Sequence, residues 1–179
     1  MIKSLTIPKS DKVEFIGSAI QIFLASCFIG LCAQISLPLY FTPVPLTGQT
    51  VGVMLVGAAL GSRKGAYAAI TYLMQGALGY PVFAGGSAGI HCLLGPTGGY
   101  LLAYPLEAYL FGVFFHAKGL NNKLALLFIP CLQLLLGSAW LSFFTGIKNI
   151  LNLGFYPFVF LEITKAFVIN VYIKSHKRS

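Results

Sequence analysis

Residues 81–100 read PVFAGGSAGIHCLLGPTGGY. Six of these twenty residues are Gly and two are Pro, yet the sequence on both sides is apolar and helix-like. Such a composition predicts tightly turning backbone in place of helix, with close approach to a neighbour. Between apolar spans that is costly, because free N–H and C=O groups find no partners in lipid. Irregular backbone is tolerated at membrane depth only where it is buried in protein or lines a cavity. The stretch is therefore read as one wall of a binding pocket.

The chain has 179 residues, 57% of them hydrophobic and only 9% charged, whereas a soluble domain carries roughly 25% charged residues. Several apolar runs are long enough to cross a bilayer, so the chain reads as a polytopic membrane protein. Cys27, Cys32, Cys92 and Cys131 show no CxxC spacing, and three of them fall inside predicted spans. They read as small apolar packing groups, not as disulfide or metal partners. The first apolar segment is too long for the apolar region of a signal peptide, so no cleaved leader is expected.

Working outward gives six spans. The first runs about 14–37 and stops before Pro38, with Ser26 and Gly30 as a small-xxx-small pair. That pair predicts close packing within the bundle, or a docking face for another membrane protein. The loop PLYFTPVPLTG (38–48) leads to a second span at 49–61. Thirteen residues reach only about 20 Å against a bilayer core of about 30 Å. The third span, 65–78, is also short. Both fit if their outer ends stop below the surface and loops 38–48 and 81–96 fold inward as a lid. Gly48, Gly52, Gly57, Gly61 and Gly65 recur mostly every fourth residue, which predicts one tightly packed face. The remaining spans fall at 97–117, 124–144 and 157–173, with a polar turn near Asn121 and a loop at 145–156. The expected architecture is one six-helix membrane domain over 1–179, with a polar N-terminal tail (1–13) and a basic C-terminal tail (174–179).

Ten of the twelve basic residues lie in the two tails, the 2–3 turn and the 4–5 turn, which a six-span chain puts on one side. The positive-inside rule makes that side cytoplasmic. The net charge of +8 is thus an orientation signal and not a nucleic-acid patch.

Glu162 and Lys165 stand three apart inside the last span, so they share a helix face. Charges there normally face a cavity or each other. Lys165 is suited to hold a carboxylate as a point charge, and Glu162 to accept N–H groups; a mutually neutralising structural pair is the alternative. Gln49 offers both donor and acceptor, which suits an amide or ureido group, while Thr47 beside it binds ligand or caps the second helix. Glu107, a second acid within a span, pairs structurally or relays protons. His91 lies on the central loop without further ligands at metal-binding spacing, so no metal is expected.

Three blocks, PVPLTGQT (43–50), GALGYPVFAGGSAG (76–89) and LLGPTGGYLLAY (93–104), resemble the BioY family, the biotin-binding substrate component of energy-coupling factor (ECF) transporters. The resemblance implies an all-α membrane protein, a compact bundle of six transmembrane helices with long outward loops lidding a substrate pocket. It implies a cell-membrane component that takes biotin with high affinity from the outer side and releases it inward. A transmembrane coupling subunit and two cytoplasmic ATPases would be its partners, and biotin is the transported ligand, with no cofactor. The family's last helix carries an acid followed three residues later by Lys at the biotin site, and those positions here are Glu162 and Lys165. The family acid is usually Asp after Pro-Gly, whereas this chain reads FVFLEITK (158–165). Together with Glu162 and Lys165, the substrate site expected from the residues themselves comprises Gln49 and Thr47, with Gly85, Gly86 and Gly98 shaping the wall and Tyr100 and His91 beside them. Ser26 and Gly30 would dock the coupling subunit.

Three other readings compete: a transporter for another small vitamin or carboxylate, an intramembrane enzyme using Glu107, Glu162 and His91, and a structural membrane scaffold, which leaves the cavity-like loops and the charged pair unexplained. The enzyme would need a convergent nucleophile, base or metal. The chain has no ATP-binding phosphate loop and no HExxH metal motif.

Overall fold

The computed structural model describes residues 11–115 and 120–176. Six principal helices form the bundle: α1 (Asp11–Gln34), α2 (Gln49–Leu60), α3 (Ser62–Ala77), α5 (Gly98–Phe115), α6 (Leu120–Thr145) and α7 (Tyr156–His176). A short helix, α4 (Ile90–Leu94), lies in the central stretch. The glycines and prolines do break helix there, but Ile90–Leu94 is the longest run in it free of both, and it coils into one short turn of helix. The loop at 38–48 is tied at its base by a two-stranded ladder, β1 (Ser36–Leu37) antiparallel to β2 (Leu46–Thr47), with Ser36 opposite Thr47.

Span lengths divide as expected except at the fourth span, expected over 97–117: α5 has 18 residues and is not among the described helices long and apolar enough to cross a membrane. Val13–Gln34, Leu124–Thr145 and Leu151–Tyr172 are long and apolar enough to cross a membrane, whereas α2 has 12 residues and α3 has 16. The boundaries shift in places. The expected loop at 145–156 is mostly wound, through a 3-10 turn (Ile147–Asn149) and a π-turn (Leu151–Phe155) that runs straight into α7. The expected polar turn at Asn121, Asn122 and Lys123 already belongs to α6, and the expected tails partly belong to α1 and α7. Lys3, Lys9, Lys118, Lys177 and Arg178, which carry much of the orientation argument, lie outside the described residues.

The short α2 is the central element, buried on several sides through Thr50, Gly52, Val53, Met54, Val56 and Ala58. Ile29 and Val53 join Tyr72 and Tyr104 in one apolar cluster; Met54 joins Phe111, Ile129 and Ala166 in another. The glycine series does not make one face. A Cβ at Gly48 or Gly52 would press on Cys32 of α1, whereas one at Gly57 would press on the Ala108 carbonyl of α5. The step from Gly48 to Gly52 turns about 40° around the helix, but that from Gly52 to Gly57 turns about 140°. The small residues therefore serve two neighbours. Gly61, at φ +79, makes the turn between α2 and α3.

Ser26 and Gly30 face inward. Ser26 is fully buried with its hydroxyl on the Phe23 carbonyl at 2.7 Å, and Gly30 leaves room for Val82 of the central loop. The pair thus packs within the bundle and is not open to a partner. The face of α1 left exposed carries Phe15, Ile16, Ile20, Leu24 and Leu31, an apolar surface suited to lipid.

The backbone of the central loop finds its partners in protein. Phe83 N–H donates to Ser87 O at 3.0 Å, Gly89 N–H to Gly76 O at 2.7 Å and Cys92 N–H to Gly89 O at 3.1 Å. The loop is anchored by Phe83, 1% exposed, whose ring lies over Gly76 where any Cβ would collide with it. Tyr72 meets the same ring edge-on at 5.5 Å between centroids.

Candidate functional site

Both loops close over a cavity of about 270 Å³, just below the ~300–1,000 Å³ usual for small-molecule sites. The first loop contributes Val44, Pro45, Leu46 and Thr47; the second contributes Phe83, Ala84 and Ser87, with His91 and Cys92 from α4. The interior wall comes from Gln49 and Thr50 on α2, Tyr100 and Tyr104 on α5, Gln133 on α6 and Glu162 on α7. The first loop is held down by Thr42, whose hydroxyl donates to Leu153 O at 2.8 Å in the π-turn.

Lys165 donates to Glu162 Oε1 at 2.7 Å, to Thr47 O at 2.8 Å and to Thr50 Oγ1 at 3.0 Å. An ammonium has three protons, so all of them are committed inside the protein. Lys165 is not among the residues lining the cavity, but Glu162 is, and its Oε2 has no hydrogen-bond partner among the described residues. The ion pair holds one carboxylate oxygen and leaves the other buried and unpartnered, on a residue that lines the cavity.

Gln49 is fixed as firmly. Its Nε2 donates to the Tyr72 hydroxyl at 2.5 Å, while its Oε1 accepts from Thr47 Oγ1 at 3.1 Å and from the Tyr104 hydroxyl at 3.2 Å. Thr47 does not cap α2: Gly48 occupies the N-cap position without a side-chain bond. The Tyr100 hydroxyl donates to Gly154 O at 2.8 Å and meets Ser138 Oγ at 3.2 Å, which pins α5 to α6 and the π-turn.

Gly85, Gly86 and Gly98 do not line the cavity; their neighbours Ala84, Ser87 and Thr97 do. Gly85 (φ +62) and Gly86 (φ +77) supply left-handed turns that side chains rarely adopt. Gly98 and Gly99 permit contact, since a Cβ on either would collide with the Leu93 carbonyl or with Trp140. Trp140 Nε1–H donates to Gly95 O at 2.9 Å and so ties α6 to the end of the lid. Trp140→Phe removes that bond while keeping an aromatic ring, and is expected to lower stability by about 1 kcal/mol, read as a small drop in melting temperature in detergent.

Glu107 lies off the cavity, in a small gap between α5 and α6 that it shares with Gln133, and neither of its oxygens has a hydrogen-bond partner among the described residues. A hydrolase nucleophile turn is not expected in this chain, yet residues 85–89 do spell Gly-x-Ser-x-Gly, the spacing of such a turn. The Ser87 hydroxyl is committed to Ala84 O at 2.8 Å and no strand leads into it, so the geometry of that turn is not built here. Among the described residues no cluster of His, Cys, Asp or Glu is arranged for a metal.

Thr50, Tyr72, Tyr104 and Gln133 were not legible as site residues. Gln133 carried a signal, as the one amide in the apolar run 124–137. Tyr72 and Tyr104 carried none, being two of nine tyrosines spread along the chain.

A profile of the BioY family matches residues 5–179. Biotin transporter BioY2 of Lactococcus lactis subsp. cremoris is 38% identical over 158 residues, covering 84% of this chain and 85% of that protein. A probable biotin transporter BioY of Pyrococcus horikoshii is 40% identical over 149 residues, covering 83% and 88%. A crystal structure of the S-component for biotin from an ECF-type ABC transporter matches with a TM-score of 0.78 and 25% identity, over 96% of this chain and 95% of that one. With a lidded bundle, a mostly apolar cavity and these matches along nearly its whole length, this chain belongs to the BioY family.

Proposed function

We propose that this chain is the biotin-binding membrane component of an ECF-type vitamin uptake transporter, a carrier and not an enzyme. The observation that carries the reading is the lidded cavity lined by Glu162, whose Oε2 is buried without a hydrogen-bond partner among the described residues while Lys165 holds the other oxygen. Biotin has a ureido ring with two N–H donors beside a carbonyl, an apolar bicycle and a carboxylate tail. A carboxylate oxygen is an acceptor only, so Glu162 takes a ureido N–H. Thr47, Gln49 and Tyr100 shape the polar wall beside it. Among the described residues no Lys or Arg lines the cavity, and a ligand carboxylate next to Glu162 would set two anions together. The carboxylate tail therefore points to the lid, where Ser87 and His91 are exposed and the charge stays hydrated.

The same reading makes residues 1–179 a single membrane domain with both termini cytoplasmic, supported by the basic residues of the tails and short turns. Its partners are a transmembrane coupling subunit and two cytoplasmic ATPases, since the chain has no phosphate loop of its own.

The test is equilibrium binding of labelled biotin to the purified protein in detergent. Wild type is expected to bind one to one. Glu162→Gln keeps the shape but loses the charge that strengthens the bond, and is expected to bind roughly ten- to a hundredfold more weakly. A well-folded wild type that binds no biotin would overturn the reading.

A further inference from the structure

Among the described residues, the buried polar side chains with an unpartnered oxygen include two that line the cavity, Glu162 and Gln133. They stand on different helices, α7 and α6. Gln133 is 3% exposed, its Oε1 has no hydrogen-bond partner, and its Nε2 reaches only Tyr100 O at 3.5 Å, the outer limit of a hydrogen bond. A buried amide left in that condition costs free energy unless something completes it.

A cyclic urea asks for more than Glu162 supplies. Its carbonyl needs a donor, and the N–H and O–H groups around it are largely committed. Lys165 serves Glu162, Thr47 and Thr50; Gln49 Nε2 serves Tyr72; the Tyr104 hydroxyl serves Gln49 and the Tyr100 hydroxyl serves Gly154. The Gln133 amide has donors without a strong partner and a free acceptor beside them. We propose that Gln133 is a second polar anchor, which hydrogen-bonds the ureido group of the ligand from the α6 side and makes the cavity selective for that group. This rests on the biotin reading above.

The experiment is competition of labelled biotin by biotin and by biotin methyl ester, on wild type, Gln133→Met and Gln133→Asn, with melting temperatures measured alongside. Gln133→Met keeps the volume and removes both polar atoms. It is expected to weaken biotin and its methyl ester by the same factor, roughly ten- to a hundredfold. Gln133→Asn, which keeps the amide but shortens its reach, is expected to weaken both at least fivefold with little change in melting temperature, and it decides the matter if the methionine variant does not fold. Affinity within twofold of wild type in the folded variants would overturn the proposal. So would a loss for biotin much larger than for the ester, because Gln133 would then read the carboxylate tail. A folded wild type that binds no biotin would overturn the biotin reading and this inference together, whereas tight binding that survives both variants overturns this inference alone.

Discussion

Lys165→Met is expected to weaken biotin binding by about a hundredfold or more and to lower the melting temperature of the purified protein. Among the described residues the ammonium is the one donor to Glu162 Oε1, and it also bonds Thr47 O and Thr50 Oγ1. Methionine fills a similar volume but leaves a nearly buried carboxylate with no compensating charge. Breaking a buried pair on one side costs about 3–5 kcal/mol, more than the pair itself contributes over apolar replacements. Two elements lose their tether at once, because Thr47 begins the approach to α2 and Glu162 sits on α7. A second substitution separates the effects. Adding Glu162→Gln to Lys165→Met removes the stranded charge, so melting temperature should recover part of the loss, while biotin binding should not return. Binding at wild-type strength by Lys165→Met would show that Glu162 needs no partner to present its free oxygen.

Gly57→Val should be strongly damaging although Gly57 does not line the cavity. A Cβ at Gly57 would lie 2.5 Å from the Ala108 carbonyl, and Gly65 packs against the same glycine from α3. The obstruction is backbone and not the end of a flexible side chain, so α2 and α5 must separate. Overpacking of this kind costs typically 1–3 kcal/mol; α2 also positions Gln49 and Thr50, so the damage should reach the cavity. Thermal unfolding in detergent should show a clear fall in melting temperature, with biotin affinity reduced as well. Gly17→Ala is the matched control. Nothing lies within 4 Å of the Cβ it would add, and alanine is the better helix former, so its melting temperature should equal or exceed that of wild type. Equal tolerance of the two substitutions would mean that α2 and α5 are not in close backbone contact.

Much of this protein was legible in its sequence, for a physical reason. A bilayer forces backbone groups to pair within their own segment, so long apolar runs read as helices, and a stretch with six Gly in twenty residues reads as broken, turning backbone with partners in protein, which holds except for the short helix at Ile90–Leu94 and the first residues of α5. The short second and third spans, the inward lid and the shared face of Glu162 and Lys165 followed from length and period alone. The resemblance of three blocks to the BioY family supplied the ligand, which periodicity does not encode.

Tertiary packing decided the rest. Ser26 and Gly30 could face a neighbour inside or outside the bundle, and only the position of Val82 shows that they face inward. Gly85, Gly86 and Gly98 were expected at the wall; they turn and pack the segments whose neighbours form it. Lys165 was expected to meet a ligand, but three protein acceptors, from β2, α2 and α7, converge on it, and that convergence depends on where the start of α2 meets α7. Gln133 and Tyr104 joined the cavity for the same reason. Sequence determines what each segment must satisfy, through length, polarity and backbone freedom. Which partner satisfies it is set by distances between segments remote in the chain, and those exist only once the helices have packed.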